Sequence, residues 1–185
     1  SNHSSGKMGF ALAEAAAEAG AAVTLVSGPV HLPTPQRVAR IDVVSARDML
    51  AACEGAMPCD ILIAAAAVAD YRPEAVASQK MKKDPGSDDG LTLRLVRNPD
   101  ILSDVAARAD APFCVGFAAE SHDLDTYAQG KRVAKKLPLV VGNLVADGLG
   151  SEDNAVVLYD AAGRHPLERA PKPVVARAIL EHISR

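Results

Sequence analysis

The chain has 185 residues, 49% of them apolar and 23% charged, with a formal net charge of −3, which suits one compact domain with a sizeable core. Without a basic excess there is no reason to expect a nucleic-acid partner, and the longest apolar stretch, Ile61 to Ala69, is far too short to cross a bilayer. The three cysteines, Cys53, Cys59 and Cys114, are odd in number, scattered and without metal-ligand spacing, which argues against a disulfide framework or zinc site and for a reducing, cytosolic setting.

The N-terminal segment Ser1 to Ala11 places a small, polar loop directly before an alanine-rich helix. Small side chains let backbone N–H groups approach an anion, and the positive end of the helix dipole favours negative charge there. The same composition also serves as a plain helix cap. Ser4 or Ser5 is expected to cap a helix over Lys7 to Ala19, with Gly20 ending it. A buried strand is expected at Ala22 to Ser27, a second at Arg40 to Val44, and a helix opened by a Ser45/Asp48 capping box and closed near Gly55. Asp60 to Ala66 reads as a parallel strand covered on both faces.

Leu91 to Val96 alternates like a half-exposed strand, Pro99 and Asp100 start a helix, and Phe113 to Phe117 gives another buried strand. A charged helix over Asp123 to Lys136 precedes a strand at Leu139 to Val141. The chain closes with a hairpin, Ala155 to Tyr159 against His165 to Glu168, and a helix from Pro173 to Ile183. This alternation predicts a Rossmann-like α/β fold, a mostly parallel sheet flanked by helices with a C-terminal hairpin and helix, in a single domain over residues 1–185.

Ligands of open α/β sheets sit at the carboxyl ends of the strands. The loops to search there are Ala67 to Pro73, which offers the Asp70 carboxylate, Asn98 to Ile101, and Phe117 to Glu120. The segment Lys80 to Gly90, rich in charge, Pro and Gly, predicts a mobile loop. Tyr127, Lys131 and Lys135 are spaced to share one helix face, where like charges repel and an anion would relieve them; a plain solvated face is the alternative. Tyr127 and Lys131 also match the Tyr-x-x-x-Lys pair of NAD(P)-dependent short-chain dehydrogenases, although only Gly6 and Gly9 are available for a dinucleotide loop that normally has three glycines.

Taken together, Asn2 to Gly9, Ala66 to Pro73, Lys80 to Lys83, Asn98 to Ile101, Gly116 to Glu120 and Lys131 to Lys135 resemble, in order and spacing, the bacterial phosphopantothenate-cysteine ligase family across nearly the whole chain. The resemblance implies a cytoplasmic, CTP-dependent ligase of coenzyme A biosynthesis. In that family the carboxylate of 4′-phosphopantothenate attacks the α-phosphate of CTP, and the amine of L-cysteine then displaces CMP from the acyl-cytidylate. It further implies Mg²⁺ with no ligand residues assigned, a homodimer, and excision from a longer parent with an N-terminal flavin-dependent decarboxylase domain.

Residue by residue, the resemblance implies that Asp70 contacts CTP and that Lys80 neutralises the reacting α-phosphate from a closing flap, with Lys82 and Lys83 assisting. Pro99, Asp100, Ile101, Leu102 and Phe117 would frame the nucleotide, and Lys131 and Lys135 would add cationic contacts. Ser4, Gly6, Ala66 and Ala67 would line the phosphopantothenate side, and Asn2 would hold the acyl-cytidylate carbonyl. A nucleotide-binding module that makes no product on its own is the expectation from another functional class.

Overall fold

A computed structural model describes residues 4–80, 91–144 and 151–185. Its elements run α1 (Lys7–Glu18), β1 (Val23–Ser27), β2 (Val38–Asp42), α2 (Ala46–Gly55), β3 (Ile61–Ala64), β4 (Tyr71–Pro73) and β5 (Leu95–Arg97). They continue with α3 (Ile101–Ala106), β6 (Phe113–Glu120), α4 (Leu124–Ala134), β7 (Leu139–Leu144), β8 (Asp153–Tyr159), β9 (Arg164–Pro171) and α5 (Lys172–Ile183).

The central sheet has the order β3-β6-β7-β8-β9. β3, β6 and β7 run parallel, and β8 and β9 add the expected antiparallel hairpin. Because successive side chains of a strand point to opposite faces, the apolar runs of β6 and β7 fill two cores at once. On one face Val115, Leu139 and Val141 pack with Ala11, Leu12 and Ala15 of α1 and Val175, Ala176 and Ile179 of α5. On the other, Cys114, Ala118 and Val140 pack with Leu102 and Val105 of α3 and Ala128 of α4. β3 serves both cores: Ile63 lies against the first and Leu62 and Ala64 against the second. The strand expected over Asp60 to Ala66 is thus Ile61–Ala64 at the edge of the sheet, with apolar contacts on both faces but only partial burial and Ile61 exposed.

Close approach at the strand centres demands glycine twice. A Cβ on Gly116 would stand 2.9 Å from Leu137 Cδ1 and 3.0 Å from Leu102 Cδ2. One on Gly142 would meet Tyr159 Cε2 at 2.9 Å and Leu124 Cδ1 at 3.0 Å. These two glycines let α3 and α4 settle onto the sheet.

Four local expectations change. The N-cap of α1 is Gly6, at φ 75°, rather than Ser4 or Ser5; the serine hydroxyls instead accept from Gly6 N–H (3.3 Å) and Lys7 N–H (3.5 Å), two residues on. Among the described residues β1 pairs, in parallel, with β2 alone, and this two-stranded sheet is not hydrogen-bonded to β3, a choice of partner that alternation within a strand does not encode. Of the Leu91 to Val96 run only Leu95 and Val96 are strand, and they pair with β4, which lies within the stretch Ala67 to Pro73 expected as a loop. The cysteines, scattered in sequence, gather: the charge of Cys59 acts on both Cys53 and Cys114, and all three are free thiols whose pKa burial pushes up. The Ser45/Asp48 capping box forms as expected, with amide bonds of 2.9 and 3.2 Å. Among the described residues no helix is long and apolar enough to cross a membrane.

Candidate active site

Parallel pairing of β3 with β6 sets Ala64 beside Gly116, and the chain leaves β3 there, whereas Phe117 to Glu120, expected as a loop, continues β6 and pairs with β7, so Ala65 to Asp70 emerges beside the carboxyl half of β6. Met8 in the first turn of α1, Ala65 and Phe117 all pack against the core cluster under α1 and α5. The carboxyl end of β3, the middle of β6 and the first turn of α1 therefore border the same core cluster. Helix starts carry backbone amides without helical partners. α1 presents its start behind a glycine whose left-handed turn is fitted against Val30: a Cβ on Gly6 would lie 3.1 Å from Val30 Cγ1. Ser4, Ala66 and Ala67 are exposed there.

The turn after β3 is held by Asn98. Its side-chain amide donates to the Ala69 carbonyl (2.8 Å), its backbone N–H donates to the Asp70 carbonyl (2.8 Å), and its Oδ1 accepts from Arg72 (3.3 Å). Arg72 also donates to the Arg97 carbonyl. With its backbone carbonyl spoken for, Asp70 leaves its carboxylate exposed. Sequence reasoning counted Asn98 only as part of a helix start; its position just before Pro99, where helical backbone is disfavoured, is the signal for a separate role.

Asp100 caps α3, its Oδ1 accepting from Ser103 N–H at 3.1 Å. Lys135, at the end of α4, donates to both oxygens of the same carboxylate at 2.8 and 2.6 Å. Burial pushes the Asp100 carboxyl up, but Lys135 and the Ser103 amide outweigh it and hold it below the usual carboxylate value. Lys131, one turn earlier on α4, donates to the Phe117 carbonyl. Its pKa is lowered, first by burial and then by Lys135, while Glu120, Asp100 and Asp70 oppose the shift. Four charged groups from four separate segments thus act on one half-buried ammonium.

The predicted nucleotide frame divides. Pro99 and Ile101 are partly exposed, whereas Leu102 is 6% exposed and sends its side chain into the core under α3, because the helix that Asp100 caps must bury one face. Phe117 is half-buried against the opposite core. Lys80 is exposed, on chain that follows β4. Asn2, Lys82 and Lys83 lie outside the described residues. The Tyr127/Lys131 pair does not act together: Tyr127 is exposed with its ring edge-on to His122 at 5.6 Å, while Lys131 turns to Phe117. Glu120, noted in the sequence only as a strand end, joins the charge cluster.

A family match to the DNA/pantothenate metabolism flavoprotein C-terminal domain spans residues 1–185. The chain is 52% identical over 187 residues to the coenzyme A biosynthesis bifunctional protein CoaBC of Vibrio cholerae, covering 98% of this chain and 47% of that protein. It is 47% identical over 188 residues to the protein of the same name from Escherichia coli, covering 99% and 46%. The chain thus spans about half the length of the curated relatives it matches. Among solved structures, the C-terminal domain of a CoaBC protein superposes with a TM-score of 0.81 at 38% identity, over 98% of this chain and 83% of that one. A Cab2 mutant in complex with phosphopantothenate-cysteine shares the fold, with a TM-score of 0.74 at 16% identity over 99% of this chain and 79% of that one. On the full-length match, the conserved fold and the identity to these relatives, the chain belongs to the DNA/pantothenate metabolism flavoprotein C-terminal domain family.

Proposed function

We propose that this chain is a single ligase domain, residues 1–185, that joins 4′-phosphopantothenate to L-cysteine at the expense of CTP. The observation that carries the reading is the half-buried Lys131 at the carboxyl end of β6, flanked by Lys135 and faced by the Asp70 carboxylate. A cation held by a carbonyl at a parallel-sheet edge, with helix starts beside it, is where a nucleotide phosphate binds. The coenzyme A biosynthesis names of relatives up to 52% identical support the chemistry.

In the first step a substrate carboxylate oxygen bonds to the α-phosphorus of CTP, the bond to the β-phosphate oxygen breaks, and pyrophosphate leaves. In the second the cysteine nitrogen bonds to the acyl carbon, the C–O bond to CMP breaks, and the amine gives up a proton. Such transfers depend on positioning and charge neutralisation. Lys131 and Lys135 take the phosphate charge, Pro99, Ile101 and Phe117 shape the base side, and the α3 start that Asp100 caps adds backbone amides. Lys80 completes neutralisation at the α-phosphate. The amino end of α1 with Ser4, Gly6, Ala66 and Ala67 takes the phosphopantothenate, and Asn2 holds the acyl carbonyl.

Among the described residues no trio of carboxylate or imidazole atoms at this edge is close enough to enclose a metal ion. Magnesium keeps several waters and commonly uses one or two carboxylates plus substrate phosphates, and the exposed Asp70 fits that pattern. When bound, Mg²⁺ neutralises triphosphate charge. The Leu91, Leu93 and Leu95 side chains, 67%, 55% and 52% exposed beside the 52% exposed Tyr71, support a homodimer that covers this ribbon. The bifunctional names and the half-length match support an N-terminal flavin-dependent decarboxylase in the full protein, and the free thiols support a cytoplasmic setting.

The test is to incubate the purified chain with CTP, 4′-phosphopantothenate, cysteine and Mg²⁺. Cysteine-dependent CMP release is expected; nucleotide binding without CMP would reduce the chain to a binding module.

A further inference from the structure

Away from the nucleotide edge, the tip of the β8–β9 hairpin meets the last turn of α5. Asp160, which opens the hairpin turn, stands there between two imidazoles: His165 Nε2 lies 3.0 Å from its Oδ1 and His182 Nε2 2.8 Å from its Oδ2. The two rings are 4.9 Å apart between centroids. One ligand atom from each residue lies within 4.8 Å of the others. The side chains are only partly exposed, 22% for Asp160, 38% for His165 and 18% for His182. We propose that Asp160, His165 and His182 form a binding site for a zinc-type divalent transition-metal ion that ties the hairpin to the C-terminal helix.

Donor chemistry and spacing carry this. Two imidazoles and one carboxylate form a borderline donor set suited to zinc and its neighbours rather than to magnesium or calcium. A tetrahedral zinc ion with arms of about 2.0–2.2 Å holds its ligand atoms roughly 3.3 Å apart. Each histidine nitrogen stands 2.8–3.0 Å from an oxygen of the carboxylate, and a bound ion would draw the three donor atoms, which lie within 4.8 Å of one another, to that spacing. The carboxylate is also pre-oriented, since Oδ1 accepts from Ala162 N–H at 2.8 Å and Gly163 N–H at 3.0 Å. Bonds of this kind from outside the ligand shell commonly fix a metal ligand. Oδ2 faces His182 Nε2, Oδ1 faces His165 Nε2, and one donor atom from each of the three residues lies within 4.8 Å of the others. Arg164, the neighbouring cation, is directed instead to Asp125 on α4, at 3.0 Å. Three protein ligands leave a fourth position for water.

The site lies outside the proposed nucleotide edge, so its test needs no turnover. Chelator-stripped chain is titrated with zinc chloride by calorimetry and with cobalt chloride by visible absorption. The expected result is one ion per chain at this site, a tetrahedral cobalt spectrum, and a zinc-dependent rise in melting temperature. His165→Ala and His182→Ala should each weaken binding at least tenfold and abolish the melting shift. Asp160→Asn keeps an acceptor for the turn amides and should also weaken zinc at least tenfold. If a substitution prevents cooperative unfolding, His165→Gln and His182→Gln take its place. Zinc affinity and melting shift unchanged across these variants would overturn the proposal and leave a metal-free hydrogen-bonded staple. Ions bound by the free cysteines would survive all of the substitutions and count against it.

Discussion

Lys135 donates to both oxygens of Asp100, at 2.8 and 2.6 Å, and so joins the end of α4 to the cap of α3. Asp100→Ala should lose the bond to Ser103 N–H together with the ion pair, at a cost of about 0.5–2 kcal/mol for the cap. Asp100→Asn keeps the cap and should lose only the pair, which half-exposed partners limit to about 1 kcal/mol or less. The Asp100 carboxyl is held below its ordinary value in the folded state. Its stabilisation is therefore complete above the unfolded value of about 4 and disappears as pH falls through the lowered folded value. Urea unfolding across the acid range should show a shallower decline for Asp100→Asn than for the unsubstituted chain.

Lys131 should report nucleotide binding through its proton. Burial and Lys135 lower its pKa in the free protein, and a bound triphosphate favours the charged ammonium and raises it again. CTP affinity should thus fall as pH rises through the lowered value, with proton uptake on binding in that range. Calorimetry in buffers of different ionisation enthalpy measures the uptake. Lys131→Gln should abolish it and weaken CTP by about 1.5–3 kcal/mol, the worth of a charge-assisted hydrogen bond.

The two proposed reaction steps separate by substitution. Lys80→Ala should lower pyrophosphate release by about 10²–10³-fold, as expected for loss of one charge-stabilising group. Asn2→Asp should permit release while acyl-cytidylate accumulates, visible by quenching and mass spectrometry. Near-wild-type turnover in both would remove these assignments.

Nucleotide preference is read from thermal melting. A ligand that binds only the folded chain stabilises it in proportion to ln(1 + [L]/Kd), so CTP should raise the melting temperature more than ATP or NADPH at equal concentration. A larger shift with NADPH would count against CTP as the nucleotide of this chain.

Gly142→Ala should destabilise more than Gly116→Ala. The added methyl on Gly142 would meet the rigid Tyr159 ring at 2.9 Å, and Tyr159 is buried with its hydroxyl donating to Asp125. Overpacking of this kind costs about 1–3 kcal/mol. At Gly116 the opposing atoms are ends of Leu137 and Leu102, which give by small rotations. Denaturant midpoints of the two variants test the order.

Local signals in the chain already marked most elements. The Ser45/Asp48 box, the Asp100 cap and the two-faced apolar runs at Ile61, Phe113 and Leu139 are each decided by near neighbours and by burial. The motif at Asn98 to Ile101 and the Lys131/Lys135 spacing were likewise visible, as charges placed where a helix begins and where one ends. What those segments do to one another was not. That Lys135 reaches Asp100, that Lys131 finds the Phe117 carbonyl rather than Tyr127, and that Asn98 clamps Ala69 all depend on strand order and register.

By itself, then, the amino-acid order determined the alternation of helix and strand, the apolar faces and the family resemblance, because periodicity and capping act over a few residues. Only the tertiary structure decided that Leu102 belongs to the core, that β1 and β2 pair apart from β3, and that Asp160, His165 and His182 converge. Side chains separated by many residues have no local coupling, and their meeting is set by packing of the whole sheet against its helices.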